Sequence, residues 1–199
     1  MACHGFHHHQ LTCCDTASAC VEVIDDRRDL EALFGKQIHG MAYANGAYSD
    51  EVVSILKAAG IWYSRTVIST LKFDMPSDWL RLPATCHHKN PKLMDLAEDF
   101  LALKPRYQSQ VFYVWGHAYE FDENDNWYII EDFAAKMAGK EDIWYCTNME
   151  LYQAWLDYSR LESTADGKTV FNPSCRSVWI RTKKGNVYEI GPGETVVIA

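Results

Sequence analysis

Helix-like and strand-like patterns of apolar residues alternate along most of the chain. Residues 15–34 carry apolar side chains at helical spacing, which predicts a helix. Short apolar runs at 38–44 and 61–68 predict strands, and Ser49 is suited to cap a helix over 50–59. The further predicted elements are a helix over 91–104, a strand over 110–116, a helix from Asn124 or Asp125 to Gly139, a strand over 143–146 and a helix that Asn148 caps and that runs to about 161. This alternation predicts parallel strands joined by crossover helices.

The pattern changes after residue 162. Residues 163–199 hold short strand-like runs separated by Asn-Pro, Lys-Gly-Asn and Gly-Pro-Gly, which predicts a small antiparallel β appendage. We therefore expect a β/α domain over 1–162 and a β-rich tail over 163–199 packed on the same domain. A parallel sheet of this kind usually begins with a strand, and none is predicted before the helix at 15–34. The β/α series is thus expected to be incomplete.

Composition narrows the classes of partner. The net charge of −8 and the lack of a Lys/Arg run argue against nucleic acid and anionic membranes. No apolar stretch approaches the ~20 residues that span a bilayer. The first residues do not resemble a signal peptide, which predicts a cytoplasmic location for the sequence as given, with the alternative that an export signal lies upstream. Seven cysteines, an odd number without a CxxC pair, predict reduced thiols.

Four histidines crowd the start of the chain, in the stretch CHGFHHHQ. His4 and His8 lie four residues apart, so their imidazoles can converge on one ion if the backbone is helical or tightly turned. Exposed histidines at a terminus also bind metal adventitiously, and they can be the remnant of a tag. Spacing alone leaves these alternatives open.

Two further candidates follow predicted strands. His117 comes just past the run 110–116, at the kind of strand end where α/β folds carry their active sites. Asn45 belongs to a turn whose N–H groups are suited to stabilise an oxyanion. The alternatives are a structural histidine and an ordinary turn.

Other polar and aromatic residues have weaker signals. The tripeptide Cys86-His87-His88 could provide a second metal position, a substrate contact or loop packing. The aromatic rings of Trp79, Trp115, Tyr119 and Trp127 are candidates for stacking on sugars, and Trp115 is expected in the core because it lies inside a strand. The acidic run formed by Glu120, Asp122, Glu123 and Asp125 is expected to be a solvated loop and helix start.

Taken in order, the motifs HGFHH, AYANG, DMPSDW and YVWGH resemble those of polysaccharide deacetylases of the NodB-homology, carbohydrate esterase type. The resemblance implies an incomplete distorted (β/α) barrel with the small β tail. It further implies hydrolysis of N- or O-acetyl groups on carbohydrate with a divalent metal, for which we expect zinc. An H-[ST]-x-x-H motif in that family binds the metal, so the resemblance assigns His4 and His8 as ligands.

The resemblance also assigns the remaining roles. His117 corresponds to the histidine that acts as general acid, and the amide of Asn45 is the best candidate for the oxyanion donor. We assign Trp79, His88 and Tyr119 to binding of the acetylated carbohydrate. The family's D-x-x-D-W motif is matched by Asp78-Trp79, whereas Asp74 lies one position too far away.

The sequence departs from the family at one decisive point. The family's paired aspartates, which supply the catalytic base and a metal ligand, lie upstream of the histidine pair, and this sequence begins at residue 1 only three positions before His4. We expect a truncated deacetylase that is inactive as given. The alternatives are a natural remnant that binds carbohydrate or a partner without catalysis, and a scaffold whose histidines bind metal adventitiously. A missing first strand also predicts self-association through an exposed sheet edge.

Overall fold

A computed structural model of the chain describes residues 1–104 and 109–198. The α-helices are α1 (Thr16–Phe34), α2 (Asp50–Ala58), α3 (Leu93–Ala102), α4 (Tyr119–Glu123), α5 (Tyr128–Met137) and α6 (Asn148–Ser159). The strands are β1 (Gly40–Ala42), β2 (Tyr63–Ser69), β3 (Leu82–Ala84), β4 (Cys86–His87), β5 (Val114–Trp115), β6 (Glu162–Ser163), β7 (Thr169–Phe171), β8 (Val178–Arg181), β9 (Val187–Ile190) and β10 (Thr195–Val197). The mixed α/β class expected from the sequence is confirmed.

The first five strands are parallel, as the alternation with helices predicts. β2 pairs with β1 on one side and with β3 on the other, and β4 pairs with β5. β3 and β4 are consecutive parts of one extended segment, interrupted at Thr85. Cys3 forms a parallel bridge to Met41 on the free side of β1. The residues just before the histidine cluster therefore occupy the strand position that no sequence pattern indicated.

Helices α1 and α2 cover this sheet with their apolar faces. Asp15 caps α1 by accepting a bond from the Ser18 N–H, and Ser49 caps α2 by accepting one from Val52, as predicted for Ser49. Val23 of α1 and Leu56 of α2 are 0% exposed. Complete burial of such side chains stabilises the fold by about 1.5–3 kcal/mol each, which fixes α1 against the sheet.

Several predicted boundaries are wrong. Residues 143–146 form no strand, and the run 110–116 contributes only the two residues of β5. The last helix is capped by Thr147 rather than by Asn148, in a capping box with Glu150. The reason is local geometry: the Thr147 side chain reaches the N–H of Glu150 while the Glu150 side chain returns to the N–H of Thr147.

The chain divides into two compact units, one formed by residues 1–104 and 109–144, the other containing 145–198. The second unit holds α6 and the strands β6 to β10, whose pairings are all antiparallel, as predicted for the tail. The domain division expected at residue 162 stays a prediction. No helix within the described residues has the length and apolar character needed to cross a membrane.

Candidate functional site

The polar candidates lie at one edge of the parallel strands. His4 follows the bridging residue Cys3, Asn45 follows β1, His88 follows β4 and His117 follows β5. The carboxyl ends of parallel strands share an edge, which is where α/β folds bind ligands. This edge carries two separate groups of histidines, one near each end.

A tight turn over residues 4–8 brings His4 and His8 together. The turn is closed by a bond from the His8 N–H to the Gly5 carbonyl, and both Gly5 (φ 92°) and His8 (φ 60°) have positive φ. The Nε2 atoms of His4 and His8 lie 3.1 Å apart. The Nδ1 atom of His4 lies 2.8 Å from the Ala42 carbonyl oxygen, and an N–H there donates to that oxygen.

This geometry suits a metal ligand pair. Because His4 carries its proton on Nδ1, the lone pair of its Nε2 is free to bind an ion. Two imidazole nitrogens on one tetrahedral Zn²⁺, at about 2.0–2.1 Å, lie about 3.3 Å apart, close to the separation seen here. Among the described residues, however, His4 and His8 belong to no group of three metal-binding side chains.

Two carboxylates of α1 hold the turn. Asp26 Oδ2 accepts the N–H groups of His4 and Gly5, each at 2.7 Å. Glu22, one helical turn earlier on the same face of α1, accepts the N–H of His7 at 2.9 Å through Oε2. Helix α1 therefore sets the conformation of the histidine segment.

The second carboxylate oxygen of Glu22 faces two histidines on the other side of the turn. Glu22 Oε1 lies 2.6 Å from His7 Nδ1 and 3.4 Å from His9 Nδ1. We call these three residues the N-terminal triad. Glu22 is only 4% exposed, whereas the two imidazoles are exposed. Burial raises the pKa of Glu22, but the bonds from the His7 backbone and ring outweigh it and hold the pKa below its ordinary value.

A second group of the same composition lies at β4 and β5. Glu120 Oε1 is 2.6 Å from His117 Nδ1 and 3.4 Å from His87 Nε2. We call these three residues the His117 triad. Lys89 Nζ lies 2.6 Å from the other carboxylate oxygen of Glu120, so a cation is bonded to this triad.

The cation sets the electrostatics of the His117 triad. Burial raises the pKa of Glu120, but the bonds from Lys89 and His117 outweigh it and bring the pKa down to about 2. Burial lowers the pKa of His87, and burial together with the neighbouring His87 lowers that of His88. Glu120 is therefore charged and His88 neutral near pH 7, and His117 is held by its Nδ1 atom with Nε2 left for other partners.

Gly116 allows His88 to pack beside β5. A Cβ atom on Gly116 would overlap the His88 ring, so only glycine permits this approach. The His88 ring is 2% exposed, and its Nε2 atom has no hydrogen-bond partner among the described residues.

The three residues assigned to carbohydrate binding differ in exposure. Tyr119 is 56% exposed and its ring lies beside that of His117, as stacking on a sugar requires. Trp79 is 6% exposed and begins a short 3-10 turn, so it, like His88, offers almost no surface. Their roles in binding stay predictions. Asn45 is exposed in the turn after β1, with a left-handed φ of 55°.

Sequence reasoning missed three carboxylates. The prediction that Glu120 lies in a solvated acidic run is wrong, because its side chain is buried under Lys89 and two histidines. Glu22 and Asp26 were treated only as part of a helix. Their i, i+4 spacing, a few residues after the histidines, was the available signal.

Comparison with known proteins agrees with the first two motifs, HGFHH and AYANG. The family model "Polysaccharide deacetylase" matches residues 1–64. Residues 1–64 are thus similar to the polysaccharide deacetylase family. This confirms the resemblance over the segment that contains His4, His8 and Asn45, whereas His117 and Glu120 lie outside the matched polysaccharide deacetylase segment. No curated protein matches the chain.

Three solved structures of deacetylase type show limited similarity. The Streptococcus pyogenes deacetylase PplD in complex with acetate is 20% identical over 33% of this chain and 29% of its own, with a TM-score of 0.33. A family 4 carbohydrate esterase from Streptomyces lividans in complex with acetate is 13% identical over 67% of this chain and 59% of its own, with a TM-score of 0.41. A mutant of a pseudoenzyme of the same family is 13% identical over 67% and 42%, with a TM-score of 0.39. The chain thus spans 29 to 59% of the length of these structures.

Proposed function

We propose that this chain is a domain of the carbohydrate deacetylase type, with an incomplete β/α barrel, that binds a divalent metal and an acetylated carbohydrate. The proposal rests on the arrangement of His4 and His8, whose Nε2 atoms lie 3.1 Å apart while Nδ1 of His4 is bonded to the Ala42 carbonyl. We propose Zn²⁺ as the metal because imidazole nitrogens are among its preferred ligands. When bound, such an ion would polarise an acetyl carbonyl and acidify a water molecule.

The protein's own groups have distinct tasks in this proposal. His117, with Nδ1 bonded to the charged Glu120, retains Nε2 as the atom that delivers a proton to the leaving amine or alcohol. The exposed amide of Asn45 donates to the oxygen on which negative charge develops. Tyr119 offers an exposed ring beside His117 for a sugar face.

We further propose that this chain alone does not hydrolyse acetyl groups. No carboxylate within the described residues completes a three-ligand group with His4 and His8. The family's base and third ligand are therefore lacking at this pair. The same observation favours the second candidate function, a relative that binds carbohydrate or a partner without catalysis.

Two measurements on the full chain test the proposal: acetate release from acetylated chitooligosaccharides with Zn²⁺, and oligosaccharide binding by calorimetry. We expect no release of acetate, and we expect the oligosaccharide to bind. Tyr119→Ala should weaken this binding about tenfold. Tyr158→Ala, a control that removes another exposed ring, should leave it unchanged. If the chain releases acetate and His117→Ala abolishes that release, the proposed inactivity is contradicted. A chain that neither binds nor cleaves the oligosaccharide would overturn the proposal.

A further inference from the structure

The N-terminal triad has the donor atoms that a metal site needs. Its three ligand atoms, Nδ1 of His7, Nδ1 of His9 and a carboxylate oxygen of Glu22, all lie within 4.8 Å of one another. The pair formed by His4 and His8 consists of the other two imidazoles in the segment, and it offers their Nε2 atoms. The triad is thus a set of donors separate from the pair to which the proposed function assigns a metal.

The buried carboxylate is oriented before any ion arrives. Glu22 Oε2 accepts the backbone N–H of His7, and this bond leaves Oε1 directed at both imidazoles. Hydrogen bonds that fix a carboxylate in this way raise metal affinity, because the ligand loses less freedom on binding. A chance meeting of surface histidines would not include a carboxylate that is 4% exposed.

The surroundings favour a cation. Within the described part of the chain, the ion pairs of Glu22 involve only His7 and His9, and neither a lysine nor an arginine is paired with it. Without an ion, His7 Nδ1 carries a hydrogen and donates it to Glu22 Oε1, 2.6 Å away, and a cation would take the place of that hydrogen. A cleft of about 380 Å³ opens beside the three residues and is lined by Ala17, Ser18 and Val21 of α1, so an ion and its remaining water ligands have room.

We propose that His7 Nδ1, His9 Nδ1 and Glu22 Oε1 form a second transition-metal site, which binds Zn²⁺ or a similar divalent ion. Two imidazoles and one carboxylate suit such ions, and water is expected to fill the remaining positions. Binding displaces the proton that His7 Nδ1 shares with Glu22, either to Nε2 of His7 or to solvent.

The test is Zn²⁺ titration by calorimetry, with Co²⁺ absorption to report the ligands. A chain carrying His4→Ala and His8→Ala lacks the other pair, and we expect it still to bind one equivalent. Adding Glu22→Gln is expected to weaken that binding at least 30-fold, and adding His9→Ala about tenfold. Gln keeps an oxygen for the His7 N–H, so the turn is retained. The matched control is Asp25→Asn, which removes a charge from the same helix outside the triad and is expected to change affinity less than threefold.

Two results would overturn the site. One is an affinity that Glu22→Gln changes no more than Asp25→Asn does, since binding would then come from exposed imidazoles alone. The other is loss of all binding in the His4→Ala, His8→Ala chain while circular dichroism shows it folded. If that chain does not fold, Glu22→Gln in the otherwise unchanged protein must remove one equivalent of Zn²⁺, and full retention contradicts the proposal. Because these readouts involve neither His117 nor oligosaccharide, they fail independently of the proposed function.

Discussion

The two triads contain the same residue types and differ in their neighbours. In both, a carboxylate oxygen lies 2.6 Å from one histidine Nδ1 and 3.4 Å from a second imidazole nitrogen. In the His117 triad, Lys89 bonds to the carboxylate, whereas a backbone N–H fills that position in the N-terminal triad. A neutral donor leaves the carboxylate charge available to a cation, and an ammonium group cancels it.

Burial separates the two groups further. The side chains of His7 and His9 are each 60% exposed, whereas those of His87 and His117 are 22% and 42% exposed. More exposed imidazoles exchange protons and ions with solvent more readily. Identical side chains thus suit an ion in one place and proton handling in the other.

The largest expected effect comes from the packing of His88 beside the His117 triad. Gly116→Ala places a methyl group where the His88 ring lies, so we expect a loss of about 3 kcal/mol in the free energy of unfolding. Gly139→Ala is the control, because Gly139 has positive φ but nothing within 4 Å of the added carbon, and it should cost about 1 kcal/mol. Urea unfolding measures both. Equal losses would show that His88 moves aside freely.

An intermediate effect concerns acid stability. The pKa of Glu120 is lowered on folding from 4.5 to about 2. Its contribution is therefore complete above pH 4.5 and is lost as the pH falls toward 2. We expect Glu120→Gln to reduce stability near pH 7 by on the order of 2–3 kcal/mol and to flatten the decline below pH 4.5.

The same pH series on Glu22→Gln sharpens the comparison. The pKa of Glu22 is also lowered, with the same sign of pH dependence, but without a lysine the change should be smaller than for Glu120. Thermal unfolding between pH 2 and 7 provides the measurement. A larger acid effect at Glu22 would reverse the electrostatic distinction between the triads.

The smallest expected effect is a change that makes the His117 triad resemble the N-terminal triad in its affinity for a metal ion. Lys89→Met removes the ammonium group from Glu120, and we expect the affinity of the His117 triad for Zn²⁺ to rise about tenfold. The titration uses a chain that already carries Glu22→Gln and His4→Ala, so that the other histidines contribute little. Lys92→Met, which removes an exposed lysine from the same region, is the control. If both variants bind Zn²⁺ with the same affinity, the charge of Lys89 does not determine whether the His117 triad binds an ion.

The sequence predicted elements whose causes are local. Helix α2 was found because Ser49 caps it and its apolar residues recur at helical spacing, both of which act within one turn. The run at 143–146 failed because strand composition has no effect without a neighbouring strand to pair with. The same limit explains Cys3, whose pairing with Met41 depends on β1.

The candidate site shows the same division. The approach of His4 to His8 could be predicted because the two residues are four positions apart and a tight turn between them depends only on local sequence. Nothing in the acidic run after His117 indicated that Glu120 alone would be buried, since His87 comes from β4 and Lys89 from the turn that follows it. Residue types suggested the chemistry, whereas the partner that tunes each carboxylate became visible only in three dimensions.

The bonds from α1 to the histidine turn also bear on the order in which the protein folds. They join residues 15 to 22 positions apart, whereas β4 and β5 bring together His87 and His117, which are 30 positions apart. Short loops close at lower entropic cost, and synthesis proceeds from the N-terminus. The N-terminal triad can therefore assemble on the nascent chain before the ribosome has added His117.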